Sequence, residues 1–383
     1  MKFVQLKPEE FTKYAQKSAY KSFLQTIEIA NLREKNGWVP YYFGVKKEDK
    51  IIAATMAVAK PTFLGKSTFY IPGGPLLDYE DTTLVNFFFK NLKNYAKTHN
   101  GYLLHIEPYY EIIERDKEGE KVEGGFDHQK AVKSLQNLGF VSVNSDNPKY
   151  LFVLELKGRK EDELFASFKQ NTRNLISRTS RKGVRVRELK REELEIFKQI
   201  TESTSERRHF NDKTLDYYET MYDLFAKKDE VKFVIAEVPN EKLENIRSES
   251  HEELAKMPQD KTEENGESKS PHYTPIAAAM FMAYGNEVIY LFSGSEEKYM
   301  KEYNAQYAIQ WYMIKYALKN KFKRYNFYGI QGLPDPSKPG YGIYKFKKGF
   351  GGHVVELLGA YELSVDPLFY NLHKILSKIK HSK

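Results

Sequence analysis

The hydrophobic pattern of the chain contains one arrangement twice. Residues 51–78 read IIAATMAVAKPTFLGKSTFYIPGGPLLD, and residues 276–295 read IAAAMFMAYGNEVIYLFSGS. Each is a β-rich run, a polar turn and a second β-rich run, and this order predicts a β-hairpin. The segment Ile52–Met56 aligns with Ile276–Met280 at an offset of 224 residues.

The same order of elements continues after each hairpin. Apolar residues at helical spacing from Leu84 to Tyr95 predict an amphipathic helix, and the apolar run Tyr102–Ile106 then predicts a strand. After the second hairpin, the residues from Tyr307 to Leu318 predict another helix, and Tyr325–Tyr328 another strand. Because four elements repeat in the same order, the pattern indicates an internal duplication.

The pattern also predicts where the two copies begin and end. Asn147-Pro148 predicts an interruption of secondary structure before a new apolar strand, so a domain boundary is expected near residue 147. The candidate strand Leu358–Leu363 is expected to return to the first domain. The predicted domains are therefore residues 1–147 plus 358–383, and residues 148–357.

Residues 239–274 break the pattern inside the second domain. They are rich in Glu, Lys and Ser and almost free of large apolar residues. Residues 241–257 are compatible with a charged helix that ends at Pro258, and residues 259–272 are typical of a linker. This segment is predicted to be a short charged insertion, helical or mobile, and not a domain boundary.

Composition and charge narrow the class of protein. A hydrophobic content of 41%, with 28 Tyr and 25 Phe, is globular, and 383 residues suit two domains. There is no cysteine, which excludes disulfides and thiolate chemistry and fits a reducing cytosol. The N-terminal residues lack a signal-peptide pattern, and no window approaches the roughly 20 apolar residues of a membrane span. A net charge of +8 favours polyanionic partners without choosing among them.

The usual catalytic motifs do not occur. The sequence contains no G-x-S-x-G, H-E-x-x-H, G-x-x-x-x-G-K-[ST] or helix-opening G-x-G-x-x-G, which disfavours hydrolase, metalloprotease, NTPase and dinucleotide-dehydrogenase functions. The Gln/Arg-x-x-Gly-x-Gly/Ala loop that binds the acetyl-CoA pyrophosphate in typical acetyltransferases does not occur either. No metal site is expected.

Two basic segments suggest contacts with anions. Residues 168–187 carry seven cations and no acidic residue, which suggests a phosphate-backbone or membrane contact, although a solvated helix face is the alternative. The C-terminal run PLFYNLHKILSKIKHSK is basic and amphipathic, with Leu372, Ile375, Leu376 and Ile379 on one side. Docking of that side on the body of the protein is the expected arrangement, and attachment to an anionic membrane is the alternative.

Taken in order along the chain, several short motifs resemble one known family, the Fem aminoacyltransferases, which build peptidoglycan cross-bridges. The matching pieces are Lys35–Trp38, Gly74-Pro75 with Asp78, Tyr102 with Glu107-Pro108, Lys182–Val184, Gly294-Ser295, Tyr307-Ala308 with Gln310, Tyr325–Gly329 and Phe346–Gly349. The resemblance implies an α+β fold of two tandem acetyltransferase-like (GNAT-type) domains related by duplication. Family members carry a long helical arm where this chain has residues 239–274, and that arm is thought to touch tRNA.

The resemblance also implies a reaction. An aminoacyl group would pass from aminoacyl-tRNA to the side-chain amine of the third stem-peptide residue, on a UDP-MurNAc-pentapeptide or on lipid II. Because the aminoacyl ester is already activated, alignment and oxyanion stabilisation suffice and no protein nucleophile is needed. No cofactor is expected beyond aminoacyl-tRNA as co-substrate. A cytoplasmic monomer is expected, with peripheral contact at the inner face of an anionic membrane as an additional interaction.

Roles of individual residues follow from the matched positions. Lys347 and Phe346 correspond to the pair that engages the acceptor end of the tRNA, and Glu107 to an acidic residue near the acceptor amine; these three are the catalytic candidates. The precursor-binding candidates are Lys35, Trp38, Tyr102, Lys213, Tyr217 and Phe292. The tRNA-binding candidates are Lys169, Arg173, Arg178, Arg181 and Lys182.

Two other functions remain open at this point. One is an acetyl-CoA-dependent N-acetyltransferase of the same fold, which the missing pyrophosphate loop disfavours. The other is a non-catalytic RNA- or membrane-binding protein that uses the basic segment alone, which the duplication disfavours.

Overall fold

Strands form in both of the regions where the sequence predicts hairpins, and others lie between and after them. The computed structural model describes residues 1–62, 64–241, 243 and 273–381, with side chains as far as Leu376. The strands are β1 (Lys2–Gln5), β2 (Val39–Lys47), β3 (Lys50–Pro61), β4 (Ser67–Gly73), β5 (Gly101–Pro108), β6 (Glu111–Glu114), β7 (Val141–Val143), β8 (Tyr150–Glu155), β9 (Arg185–Glu188), β10 (Val231–Pro239), β11 (Tyr273–Tyr284), β12 (Glu287–Ser295), β13 (Arg324–Ile330), β14 (His353–Leu357) and β15 (Ala360–Ser364).

A helix follows each hairpin at the position that periodicity predicts, and further helices lie elsewhere in the chain. They are α1 (Pro8–Lys17), α2 (Ile27–Lys35), α3 (Thr82–Thr98), α4 (Gln129–Asn137), α5 (Glu161–Ser167), α6 (Gln170–Arg181), α7 (Leu194–Arg208), α8 (Leu215–Phe225), α9 (Glu297–Tyr303), α10 (Ala305–Lys319), α11 (Tyr341–Lys348) and α12 (Pro367–His381). Within the part of the chain that the structure describes, none of them is long and apolar enough to cross a membrane.

Contacts between residues divide the chain into two units. The first comprises Met1–Glu155, Tyr284–Asn286 and Asn326–Lys383, and the second comprises Leu156–Ala283 and Glu287–Tyr325. Helix α11, which carries Phe346 and Lys347, therefore makes its contacts in the first unit, although the sequence assigned these residues to the second domain. The domain bounds drawn from the repeat stay a prediction.

The first unit contains a seven-stranded sheet in the order β1-β2-β3-β4-β5-β15-β7. Its pairs are antiparallel except β4 and β5, which run parallel with Tyr70 opposite His105. One face is covered by α3, whose buried Phe88, Phe89 and Leu92 belong to the main apolar core of this unit. Strand β15 pairs with β5, so the C-terminal strand does return to the first sheet.

Three further strands of the first unit follow the order β6-β14-β8, and β13, of which residues 326–330 belong to this unit, comes next in the order. The second unit contains the order β12-β11-β10-β9, in which β10 pairs antiparallel with both neighbours. The predicted second hairpin is β11 and β12. Most of the predicted insertion, residues 242 and 244–272, lies outside the described residues.

Candidate functional site

Trp38 is held at the start of β2 by the way α2 ends. Gly37 has a φ of +78°, and the Trp38 N–H donates to the Arg33 carbonyl, so the helix closes with a left-handed glycine. The Trp38 and Tyr70 rings lie 6.1 Å apart between centroids. The Arg33 guanidinium carbon lies 5.9 Å from the Trp38 ring and 5.4 Å from the Tyr70 ring. The two rings and the guanidinium suit an aromatic group carrying a phosphate.

Lys35 is exposed at the end of α2, beside this aromatic pair in sequence. Lys60 places its Nζ 5.7 Å from the Trp38 ring. Trp38, Tyr70, Arg33 and Lys60 thus form a basic, aromatic corner of the first unit, and the predicted residue Lys35 precedes Trp38 by three positions. Arg33, which opens the same sequence stretch, and Tyr70, which the sequence did not single out, lie against Trp38.

Glu107 is surrounded by hydrogen-bond donors at the end of β5. Tyr70 donates its hydroxyl to Oε2 at 2.5 Å, and His105 Nε2 lies 3.1 Å from Oε1. Ser145 donates to Oε1 and Asn147 Nδ2 to Oε2. Burial raises the pKa of Glu107, but these four donors outweigh it and lower the pKa to about 2. Glu107 is therefore a carboxylate with its oxygens occupied, which suits it to positioning and charge stabilisation better than to taking up a proton.

His105 joins two carboxylates across the sheet. Its Nδ1 lies 3.4 Å from Glu362 Oε1 on β15, while Nε2 faces Glu107. Burial lowers the pKa of His105, but the two carboxylates outweigh this and raise it to about 9. His105 is thus an imidazolium at neutral pH, and it keeps Glu107 charged.

Lys347 is buried in α11 with 4% of its surface exposed. Its Nζ donates to the carbonyl oxygen of Gly329 at 2.5 Å, and no carboxylate of the described residues pairs with it. Desolvation lowers the pKa of Lys347 to about 7. An amino group balanced between its two protonation states at neutral pH is suited to stabilising negative charge and to exchanging a proton.

The end of β13 links Lys347 to Glu107. Tyr328 has a φ of +63°, and its N–H donates to Asn326 Oδ1 at 2.7 Å, so a side chain holds the backbone in the left-handed region. The Tyr328 hydroxyl lies 3.5 Å from Oδ1 of Asn147, which also binds Glu107. The following residue, Gly329, accepts the Lys347 hydrogen bond. The structure therefore brings two of the predicted catalytic residues into one network of the first unit.

Two predicted residues of the first unit have mainly packing contacts. Tyr102 is fully buried, accepts a hydrogen bond from Thr68 at 3.0 Å and lies 3.2 Å from His373 Nδ1. A contact between Tyr102 and the precursor stays a prediction, since its hydroxyl faces other side chains. Phe346 is half-buried and packs edge-on against Phe350 at 5.5 Å.

The three predicted residues of the second unit meet one another. Lys213 Nζ lies 5.7 Å from the Tyr217 ring, and Tyr217 packs edge-on against Phe292 at 6.1 Å. Thr214 caps α8 by accepting the Tyr217 N–H, which fixes Tyr217 in the first turn of the helix. The ammonium group of the exposed Lys213 thus makes a cation–π contact with the Tyr217 ring.

The basic helix α6 is less positive than its sequence suggests. No acidic residue lies within residues 168–187, but Glu302 from α9 pairs with Lys182 and lies 3.9 Å from Arg178. Arg173 turns back onto the carbonyls of Ala166 and Phe168. The carboxylate absent from the segment is supplied by a residue about 120 positions later in the chain. Lys169 and Arg181 remain exposed.

Some residues of the network had a signal in the sequence and others did not. His105 is two residues before Glu107 in a strand, so both side chains point to the same face. Asn147 was interpreted only as a chain break. Tyr70 on β4 and Arg33 on α2 meet through the packing of distant elements, which periodicity does not specify.

The solved structures define the class of fold. The crystal structure of FemX superposes with a TM-score of 0.77 at 19% identity, covering 97% of this chain and 99% of that one. A tandem GNAT protein from the clavulanic acid biosynthesis pathway gives a TM-score of 0.52 at 9% identity, covering 96% and 99%. The chain is an α+β protein of two acetyltransferase-like domains, as predicted.

The family follows from the sequence comparisons. The model of the FemAB family matches residues 6–273 and 239–378. Aminoacyltransferase FemA from Staphylococcus aureus strains N315 and COL is 29% identical over 420 aligned residues, which cover 99% of each chain. The chain belongs to the FemAB family. The predicted family and the predicted class of enzyme, an aminoacyltransferase, are confirmed.

Proposed function

We propose that the enzyme transfers an aminoacyl group from aminoacyl-tRNA to the side-chain amine of the third stem-peptide residue of a peptidoglycan precursor. The acceptor is lipid II or UDP-MurNAc-pentapeptide, and the product is part of the interpeptide bridge. Membership of the FemAB family supports the general reaction. The observation that carries the proposal is the buried Lys347, with its lowered pKa, in one network with Glu107.

In the proposed reaction the acceptor amine attacks the ester carbonyl carbon of the aminoacyl-tRNA. A carbon–nitrogen bond forms, negative charge collects on the carbonyl oxygen, and the bond to the ribose oxygen then breaks. The ammonium of Lys347 stabilises that charge and gives its proton to the departing ribose oxygen. The newly bonded nitrogen returns a proton to Lys347, which balances the reaction without a further co-reactant.

The pKa of Lys347, about 7, supports its use first as a proton donor and then as a proton acceptor. At neutral pH the charged and neutral forms of such a lysine differ little in free energy, so neither transfer is costly. An exposed lysine, with a pKa of about 10.4, would hold its proton too firmly. Burial of Lys347 also excludes water, which limits hydrolysis of the ester.

Glu107 would position the acceptor amine and would not act as the base that removes its proton. Its charge attracts a cationic amine into place, while its low pKa makes it a weak base. Tyr70, which donates to Glu107 and lies beside Trp38, would couple amine binding to precursor binding. The acceptor amine, whose pKa is ordinarily about 10.4, releases one proton to solvent before it attacks, and the proton that it loses after attack is the one that returns to Lys347.

The remaining candidates would hold the two substrates. Arg33 and Lys35 suit the diphosphate of the precursor, and Trp38 suits its base or sugar. Lys213 on Tyr217 would supply a further cation, as a point charge without the fork of an arginine. The exposed Lys169 and Arg181 would contact tRNA phosphates. A cytoplasmic monomer that needs only the two substrates fits these roles.

A transfer assay tests the proposal. Radiolabelled aminoacyl-tRNA is incubated with UDP-MurNAc-pentapeptide in one reaction and with lipid II in another, and acetyl-CoA replaces the tRNA in a third. We expect labelled amide product with one of the first two acceptors and none from acetyl-CoA. Absence of transfer to both acceptors while the ester stays intact would overturn the proposal. Acetylation would instead support the rival N-acetyltransferase.

A further inference from the structure

Helix α12 carries an apolar stripe that faces solvent. Leu368, Leu372, Ile375 and Leu376 are 75%, 37%, 56% and 47% exposed. Their spacing of four, three and one residues places them on one face of the helix. Ile379, which the sequence assigned to this side, lies outside the described side chains. Surface leucines are common singly, but a continuous stripe of this kind marks a contact surface.

The opposite side of α12 attaches the helix to the protein. Tyr370 is buried against Tyr102 and Leu103, and its hydroxyl donates to Glu362 at 3.0 Å. His373 lies against the Tyr102 hydroxyl. The expectation that the apolar side docks on the body of the protein is therefore wrong. The core in this region takes Tyr370, which lies on the face away from the leucines, and Phe369 at the edge of the stripe is only partly buried against it.

The tip of the β3–β4 hairpin adds a second exposed apolar residue beside the start of α12. Leu64 is 76% exposed and adopts a φ of +53° in a turn closed by hydrogen bonds from Thr62 to Lys66. Lys66 ties this turn to the helix, because its Nζ binds Asp366 at 2.9 Å and lies 4.6 Å from the Phe369 ring. The turn that carries Leu64 thus lies next to the start of α12, where Leu368 begins the stripe.

The charge of this surface identifies its partner. Residues 367–383 contain no acidic residue; Lys374 is among the described side chains, and Lys378, Lys380 and Lys383 are known here from the sequence alone. An apolar stripe on a basic helix is the arrangement of helices that lie in the interface of an anionic bilayer, with apolar residues in the acyl boundary and lysines at the headgroups. A partner chosen by apolar contact alone would not require this excess of lysine.

We propose that α12 and the β3–β4 tip bind the surface of an anionic phospholipid bilayer. This interaction goes beyond the transfer reaction, and it would operate with a soluble or a lipid-linked acceptor. Its effect would be to hold the first unit, which carries Trp38, Glu107 and Lys347, at the membrane face.

Co-sedimentation of the full chain with vesicles tests this proposal. One set contains phosphatidylcholine alone, and the other contains phosphatidylcholine and phosphatidylglycerol in equal parts. We expect at least about tenfold tighter binding to the anionic vesicles, weakening as salt is added. The double variant Leu368→Gln/Ile375→Gln should reduce that binding about tenfold, and Leu64→Ser should reduce it less.

The control is Val141→Gln, which changes another exposed apolar residue of the same unit and should leave vesicle binding unchanged. Thermal unfolding and transfer to UDP-MurNAc-pentapeptide should be unchanged in the double variant, which separates loss of membrane binding from loss of fold or activity. No binding of the wild-type chain to anionic vesicles overturns the proposal. So does undiminished binding of the double variant, or light scattering that shows the stripe pairing two copies of the chain.

Discussion

The amino group of Lys347 donates a hydrogen bond to the backbone carbonyl of Gly329, the residue that follows Tyr328 in its left-handed conformation. A backbone carbonyl is a neutral acceptor, so it orients the amine without supplying a negative charge to hold its proton. A carboxylate at this position would have raised the pKa of Lys347, whereas burial beside a carbonyl lowers it.

The first prediction concerns Lys347 itself. Lys347→Met should lower kcat for aminoacyl transfer by about a hundredfold or more, because the charge on the carbonyl oxygen loses its stabilising group. The Kd for UDP-MurNAc-pentapeptide should change by less than about threefold, since binding uses other residues. Single-turnover kinetics and calorimetry measure the two effects. Wild-type turnover in the variant would remove Lys347 from the reaction.

The second prediction tests the carbonyl that orients Lys347. A Cβ at Gly329 would lie 2.5 Å from Cβ of Pro148, so Gly329→Ala must displace the backbone. We expect a loss of about 1–3 kcal/mol in unfolding free energy, together with a lower kcat. The matched control is Gly342→Ala in α11, where nothing lies within 4 Å and the stability should be equal or higher. Equal behaviour of the two variants would contradict this packing argument.

The third prediction is a pH dependence of stability. The pKa of Glu107 is lowered to about 2, so its stabilising contribution is present above 4.5 and is lost as the pH falls through 2. The pKa of His105 is raised to about 9, so its contribution is present below 6.5 and is lost as the pH rises through 9. Glu107→Gln should therefore cost most between pH 4.5 and 6.5, by about 3 kcal/mol.

Denaturant unfolding across this range measures the effect, and an NMR titration of His105 reports its pKa directly. In Glu107→Gln the His105 pKa should fall, because only Glu362 remains as a charged partner. Glu48→Gln, in an exposed turn, is the control. A loss of stability that does not vary with pH would show that the ion pair is not its source.

The fourth prediction concerns the aromatic corner. Arg33→Ala should weaken binding of UDP-MurNAc-pentapeptide about tenfold, because a cation supported by two rings is lost near the phosphates. Lys47→Ala is a matched control, since Lys47 is an exposed cation at the other end of β2, about 30 Å from Trp38. Equal losses in both variants would point to a general charge effect.

The fifth prediction concerns the basic helix. Glu302→Gln should tighten tRNA binding, because it releases Lys182 and Arg178 from their carboxylate. Arg181→Ala should weaken binding and reduce the slope of log K against log salt by about 1. Filter binding over a salt series measures both, with Lys90→Ala on α3 as the control. Unchanged affinity in Glu302→Gln would argue that α6 does not contact the tRNA.

The periodicity of apolar residues predicts the elements of this fold well. In a hairpin or an amphipathic helix, apolar and polar residues repeat at short, regular spacings that can be seen in the sequence. Both hairpins, helix α3 and the return of β15 to the first sheet were predicted from such patterns. The environment of a side chain depends instead on distant partners. Tyr102 matched the family motif, but Thr68 and His373 enclose its hydroxyl.

The charge balance of a surface also depends on distant partners. A run of residues 168–187 without acidic members indicated an uncompensated surface, yet Glu302 approaches it from α9. The low pKa of Lys347 likewise follows from its burial in the folded chain, and the sequence around it is merely lysine-rich.

The pairing of β5 with β15 has a consequence for how far this protein can fold while it is being synthesised on the ribosome. Glu362 reaches His105 from 257 positions further along the chain, and the whole second unit is synthesised between them. A nascent chain that has emerged only as far as β14 lacks both the strand that covers β5 and the carboxylate that helps to hold His105. The Glu107 network is therefore completed only after nearly all of the polypeptide has emerged. Unfinished chains thus lack the assembled site, although they already contain Trp38, Tyr70 and Glu107.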